Sequence, residues 1–274
     1  DSMLSDITIG QYIPTGSVLH RMDARVKILL LCVYLVLLFM VNAPSAYLLI
    51  GAATVGLVAL SRVSVKFVLR GLKPMFLILV LTMIFNLFLT PGETLVSFPV
   101  FRWHFTITHE GLKTAILMFL RLLFLVITSS LLTLTTAPLM LTDGIERLLR
   151  PFDRFHVPSH EIAMMMTIAI RFIPTLAEEA EKIMKAQTAR GADFESGNLI
   201  HRTKAMIPLL VPLFISAFRR ADDLATAMDA RCYNGGANRT RMRELKMTKI
   251  DYIAIGSFAV FFVIVFAANR WLLI

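Results

Sequence analysis

Apolar residues in this chain come in long runs, and basic residues fill the gaps between them. A membrane-spanning helix needs about 20 mostly apolar residues, each rising about 1.5 Å. Five runs meet that need, at about 24–42, 45–60, 74–89, 112–134 and 250–271. Arg25 and Lys27 stand at one end of the first, where their stems are expected to snorkel. Asn42-Ala43-Pro44 predicts a tight turn into the second run. Arg62, Lys66, Arg70 and Lys73 then separate the second from the third. Pro91-Gly92 opens a loop that runs to His109, and Trp271 is an expected interfacial anchor of the last span.

The segment 137–249 has a different pattern. Its apolar stretches are too short or too interrupted to span: 162–173 contains Arg171, and 205–218 contains Pro208 and Pro212. Runs of that length predict interfacial or partly embedded helices. Each then turns amphipathic. Over 176–189, Leu176, Ala180, Ile183 and Gln187 form one stripe, with Glu178, Glu181, Lys182 and Lys185 largely elsewhere. Over 218–230, Arg219, Arg220, Asp222 and Asp223 sit near the middle. Gly191 and Asn234-Gly235-Gly236 supply residues that tolerate the left-handed conformation and stop helices. A further short amphipathic helix is expected over 143–155, ended by His156-Val157-Pro158. Pro208 and Pro212 are expected to break the run that holds them. The chain therefore divides into a leader with four spans (1–136), a set of amphipathic helices (137–249) and a last span (250–274).

Composition agrees with an all-α integral membrane protein. Of 274 residues, 57% are hydrophobic and 17% charged, and the mean hydropathy is +0.71; a soluble domain carries about a quarter charged residues. The net charge of +9 raises the question of nucleic acid. The basic residues lie between apolar runs rather than among aromatics on a polar domain, which is the pattern of membrane topology. Three stand at the start of the first span (Arg21, Arg25 and Lys27), four lie between the second and third, and seventeen lie in 137–249. The opposite side holds Arg102, Lys113 and Arg270. The positive-inside rule puts the N-terminus and 137–249 in the cytoplasm and the C-terminus outside. Cys32 and Cys232 are far apart and form no disulfide framework or metal spacing. No basic region leads into a cleavable apolar stretch, so the first span reads as a retained anchor.

The segment 137–249 also carries a repeat. Ala189-Arg190-Gly191 and Ala230-Arg231-Cys232 lie 41 residues apart near the ends of two helix-like stretches. Aligning the arginines also aligns Ala180 with Ala221, Glu181 with Asp222, Ile183 with Leu224 and Ala186 with Ala227. A lone arginine at a helix C-terminus is favoured by the helix dipole alone. A duplicated helix end carrying one exposed arginine suits docking twice onto a two-fold partner. The guanidinium is planar, always charged and able to fork onto a carboxylate, and the small residues beside each one allow close approach.

Other polar groups read as structural. His20, Arg21, Asp23 and Arg25 are expected to tie the leader to the membrane surface and the cytoplasmic helices. His160-Glu161 lacks the second histidine of a zinc-protease motif, because position 164 is Met, so no metal site is expected. Gly111-Leu112-Lys113-Thr114 lacks the spacing of a phosphate loop, so the chain is not expected to bind ATP or carry catalysis of its own. Arg121 lies inside the fourth span, about 10 Å from its outer end, within reach of snorkelling.

These features together resemble the transmembrane T component of energy-coupling factor (ECF) transporters. The leader Ile9-Gly10-Gln11-Tyr12 with Ser17-Val18-Leu19-His20-Arg21-Met22-Asp23-Ala24-Arg25-Val26-Lys27 looks like that family's N-terminal signature. The two tripeptides look like its coupling motif, and Arg171-Phe172-Ile173-Pro174 fits the start of a coupling helix. The resemblance covers essentially the whole chain. It implies a scaffold for vitamin-class uptake that joins two ATP-binding cassette ATPases, docked at Ala189, Arg190, Gly191, Ala230, Arg231 and Cys232, to a membrane S component that binds substrate. Met164, Met165, Met166, Leu210 and Phe214 would form the platform for the S component, methionine being a side chain that repacks against varied partners. The resemblance implies no cofactor, no metal and no nucleic acid. A pathway-forming subunit of a conventional ABC transporter is the alternative, although two docking helices on one chain argue against it. A membrane-embedded enzyme would need clustered Asp, His or Ser at membrane depth, and 112–134 holds no acidic residue.

Overall fold

The computed structural model describes residues 12–100, 103–155, 158–192, 194, 199–235 and 247–271. Ile9–Gln11 of the leader signature, Arg102, the His156-Val157 stop and Gly236 lie outside the described residues, as do the side chains of Ala205 and Trp271. The chain falls into two compact units. One is drawn from Gly10–Gly144 and Leu245–Ile274, the other from Ile145–Glu244.

The first unit is a helical bundle. A short turn of helix, α1 (Val18–Arg21), leads into α2 (Ala24–Met40). Asp23 caps α2 by accepting the Arg25 backbone N–H at 2.9 Å. Pro44 occupies the first turn of α3 (Pro44–Ser61), where its missing N–H costs nothing. α4 (Val65–Leu72), a 3₁₀ turn over Lys73–Met75 and α5 (Phe76–Leu89) follow one another without a break. Two strands, β1 (Thr94–Val100) and β2 (Trp103–Thr108), pair antiparallel, with Thr94 opposite Thr108 and Val100 opposite Trp103. α6 (His109–Thr135) and, at the far end of the sequence, α10 (Lys249–Trp271) complete the unit.

Among the described residues, four helical runs are long and apolar enough to cross a membrane: Pro44–Ser61, Val65–Leu89, His109–Thr135 and Lys249–Arg270. α2, with 17 residues, sits at the lower edge of the ~17–25 residues that span. The third run begins at Val65, nine residues before the expected start at 74, because Lys66, Arg70 and Lys73 are carried on helix and Pro74 is absorbed by the 3₁₀ turn. The expected loop from Pro91 to His109 contains the hairpin, since Val96, Phe98, Val100, Trp103, Phe105 and Ile107 are strand-forming types at alternate positions.

The bundle core gathers Tyr34, Leu37 and Leu38 of α2, Ala46, Tyr47 and Ile50 of α3, Phe124 of α6 and Val265 of α10. The two basic side chains buried in this unit, Lys27 and Arg121, are paired. Lys27 does not snorkel: it is 8% exposed, and its ammonium donates to the Thr135 carbonyl at 3.0 Å and the Thr136 hydroxyl at 3.1 Å, closing the end of α6. Arg121 does not reach for the interface either. It donates to the Tyr47 hydroxyl (2.9 Å), the Val41 carbonyl (2.8 Å) and the Asn42 side chain (3.2 Å). It thereby ties α6 to the turn between α2 and α3, and its guanidinium also lies over Phe39. Gly111 sits where a Cβ would meet the Leu87 carbonyl at 2.9 Å, so a larger residue would part α5 from α6.

α7 (Pro138–Leu149) runs from the first unit into the second. It starts five residues before the expected helix over 143–155, and Arg150–Phe155 is a 3₁₀ turn instead, because Pro151 has no N–H for an α-helical bond. The second unit is then built from two long helices, α8 (Ser159–Ala189) and α9 (Leu199–Ala230). Each fuses the expected apolar stretch and amphipathic stretch into one helix. Pro174 lies inside α8, and Pro208 and Pro212 lie inside α9, so neither helix is broken at its prolines. All three prolines are on exposed faces.

Candidate functional site

The two tripeptides end α8 and α9 in the same geometry. After α8, the Gly191 N–H bonds the Thr188 carbonyl and the Ala192 N–H bonds the Gln187 carbonyl, each at 3.0 Å. After α9, the Cys232 N–H bonds the Asp229 carbonyl at 2.9 Å and the Tyr233 N–H bonds the Met228 carbonyl at 3.0 Å. Both sets are the paired bonds of a Schellman cap, and they superpose on a shift of 41 residues. The cap needs a left-handed residue at its third tripeptide position. Gly191 supplies it at φ 88° and Cys232 at φ 56°. The small third residue is thus a backbone requirement as well as a means of close approach. In α9 the left-handed residue that stops the helix is Cys232, two residues before the expected Asn234-Gly235 stop.

The geometry leaves the arginines presented. Arg190 and Arg231 are the cap residues themselves, one before the left-handed turn, so their side chains leave the helix where its carbonyls end. Ala189, Arg190, Gly191, Ala230, Arg231 and Cys232 are all exposed. Neither guanidinium has a hydrogen-bond or ion-pair partner among the described residues. Two fixed, desolvation-ready cations at matched helix ends can bind two carboxylates on a partner that presents them twice.

α8 and α9 pack against one another, and Arg220 donates to Glu179 at 2.7 Å across the pair. Beyond that contact, the expected platform residues are outward. Met165 is 58% exposed and Phe214 60%, with Met166 and Leu210 also exposed and Met164 half-buried. On α9 they belong to a broader strip: Met206, Ile207, Leu210, Val211, Phe214, Ile215 and Phe218 are all exposed. An apolar strip of that size cannot face water for long. His160 bonds Glu146 of α7 through Nδ1 at 3.2 Å, a helix-to-helix tie.

The leader is woven into one end of the bundle rather than held at a surface by charge. His20 contacts the Ser17 hydroxyl (2.7 Å) and the Ile13 carbonyl (2.8 Å), while Thr15 donates to the Ser61 carbonyl (2.8 Å). Arg25 folds back onto Asp23 at 2.6 Å. The residue that sequence reasoning missed is Asp251, which is fully buried. Its carboxylate accepts from the Asp23 backbone N–H (2.8 Å), the Thr248 N–H (2.7 Å) and the Thr248 hydroxyl (2.8 Å), fastening α10 to the start of α2. Thr248-Lys249-Ile250-Asp251 has the spacing of a capping box ahead of an apolar run, and that signal was available in the sequence. Asn269 does the same at the other end of α10, accepting from the backbones of Asn42 and Ala43 at 3.1 Å each.

A helical bundle with runs long and apolar enough to cross a membrane, joined to a pair of long helices with duplicated arginine caps, defines an all-α membrane protein. Comparison with known proteins gives the family. The profile of the CbiQ family, described as cobalt transport protein, matches residues 15–242. The energy-coupling factor transporter transmembrane protein EcfT of Clostridium kluyveri is 55% identical over 253 residues, 92% of this chain and 93% of that one. The protein of the same description from Acidaminococcus fermentans is 52% identical over 98% of both chains. That from Bacillus subtilis is 44% identical over 96% of this chain and 98% of its own. This chain belongs to that family of transporter transmembrane components.

Proposed function

We propose that the chain is the coupling subunit of an ECF-type importer. Arg190 and Arg231 dock one cytoplasmic ATPase each, the exposed strip of α8 and α9 seats a membrane S component, and ATP-driven closure of the ATPases moves that strip. The observation that carries this reading is the pair of identical Schellman caps, each presenting an exposed arginine without a partner. ATP hydrolysis then belongs to the ATPases, and the choice of a vitamin-class substrate to the S component. On this reading the division at 136 and 249 separates spans from coupling helices. The basic residues set the orientation: N-terminus and 137–249 in the bacterial cytoplasm, C-terminus outside. Cysteines introduced at Ser97 and Ser196 should label from the outside and the inside respectively; labelling from one side would refute that topology.

The docking roles are tested by copurification of the assembled complex. Truncating one partner of a desolvated, hydrogen-bonded charge pair costs about 2–5 kcal/mol. Arg190→Ala and Arg231→Ala should each weaken ATPase retention, and the double variant should lose it while keeping the S component. Met165→Asp and Leu210→Asp should do the reverse, releasing the S component with the ATPases still bound. Full retention of the ATPases by the double arginine variant sinks the docking role. The opposite pattern of losses would show the two surfaces to be exchanged.

A further inference from the structure

Part of the inner face of α8 maps onto that of α9 by the same shift as the caps. Five partly buried positions of α8 map by a shift of 41 onto five partly buried positions of α9: Phe172 onto Leu213, Leu176 onto Ala217, Glu179 onto Arg220, Ile183 onto Leu224 and Gln187 onto Met228. The ion pair between the helices joins the middle two, Glu179 Oε2 and Arg220 Nη2 at 2.7 Å. A residue therefore touches its own repeat image. Contact between repeat images occurs on a two-fold axis, where each position meets its equivalent.

A strict repeat would fail there, because like charges would face each other. The sequence departs from the repeat at that place. Glu178-Glu179 correspond to Arg219-Arg220 and Lys182 corresponds to Asp223, whereas Ala180, Ala186, Ala189 and Arg190 correspond to identical residues. Charge is inverted at three positions around the contact and kept at a fourth, Glu181 and Asp222, while the tip residues Ala189 and Arg190 are repeated unchanged as Ala230 and Arg231. We propose that Glu179 and Arg220 form the pivot of a pseudo-two-fold crossing, fixing the register in which α8 and α9 pass and so giving the two arginine caps equal reach. Eleven residues separate Glu179 from Arg190, and eleven separate Arg220 from Arg231; each arm is about 16 Å of helix. The apolar members of the stripes supply adhesion, which has no direction. The ion pair is the directional member. A slip of one turn would lengthen one arm and shorten the other by about 5.4 Å, more than a hydrogen bond to a fixed carboxylate can follow. Glu179 and Arg220 are positioning residues, acting through the caps.

The consequence for assembly rests on the docking role of Arg190 and Arg231, but the crossing can be measured without it. Spin labels at Thr188→Cys and Asp229→Cys, both exposed sites, report the distance between arms in the full chain in lipid nanodiscs. Cys32→Ser and Cys232→Gly clear the two exposed native thiols. One narrow distance distribution is expected. Glu179→Arg and Arg220→Glu should each broaden or shift it, and the exchanged pair Glu179→Arg/Arg220→Glu should restore it. In the assembled complex the single reversals should lower transport-coupled ATP hydrolysis about two- to fivefold, the scale of a partly exposed ion pair, with recovery in the exchanged pair. The proposal is overturned if a single reversal leaves the distances narrow and in place, or if the exchange does not restore them. Should the reversals not insert, Glu179→Gln takes their place, and an unchanged distribution there overturns the pivot equally. If the distances respond as expected while the arginine caps prove not to dock, the crossing stands and the docking role falls.

Discussion

The two units of this chain put polarity in opposite places. In the bundle, charged and polar side chains are buried and paired: Lys27, Arg121, Asp251 and Asn269 each hold the backbone end of another element. In the α8–α9 pair, large apolar side chains are exposed and the cap arginines have no partner among the described residues. The bundle spends its polar groups on itself. The helical pair joins Arg220 to Glu179 but leaves the guanidinium groups of its two cap arginines without a partner among the described residues. The lesson is that an arginine in a membrane span and an arginine at a helix tip carry different information. Arg121 makes three hydrogen bonds to oxygen inside the fold, whereas the Arg190 and Arg231 guanidinium groups make none among the described residues.

The sharpest way to break the contrast is to damage the bundle alone. Asp251→Ala leaves three donors without their acceptor in a buried place, which costs about 2–4 kcal/mol. The chain should unfold at a markedly lower temperature in detergent, while the Arg190→Ala/Arg231→Ala variant should melt like the unaltered chain. Equal melting of the Asp251→Ala variant would mean that α10 is held by packing alone. The smallest effect is expected at Cys232→Gly. A non-glycine residue in the left-handed region costs about 1 kcal/mol, so glycine should stabilise the α9 cap slightly and leave ATPase retention intact. Loss of retention in that variant would mean that the thiol itself contacts the partner.

Much of this organisation could be read from the amino acids. The spans were legible because apolar runs of membrane length have few other uses, and the caps were legible because they occur twice. The leader motif and the paired tripeptides pointed to the family. What escaped was long-range pairing. Lys27 reads as an interfacial snorkel until Thr135 and Thr136 are known to lie beside it, 108 residues on. Asp251 reads as a charge at the edge of a span until the Asp23 backbone arrives there. Prolines misled in the other direction. Pro174, Pro208 and Pro212 each remove a donor, yet α8 and α9 run through them, because helices this long, packed on one face, outlast a missing bond. The hairpin at 94–108 was hidden by length: a gap between two spans reads as a loop unless its alternation is counted.

The double fastening of α10 also sets an order of events during synthesis. Its two pins, Asp251 and Asn269, grip the start of α2 and the turn before α3, elements that leave the ribosome first. About 100 residues of the other unit are translated in between, which takes roughly 5–20 s at ordinary elongation rates. For that interval the early helices wait in the bilayer with the backbone N–H groups of Asp23, Asn42 and Ala43 unclaimed. The two pins of the bundle are set only after the helical pair has been made, so a nascent chain that stops short of its last helix lacks both.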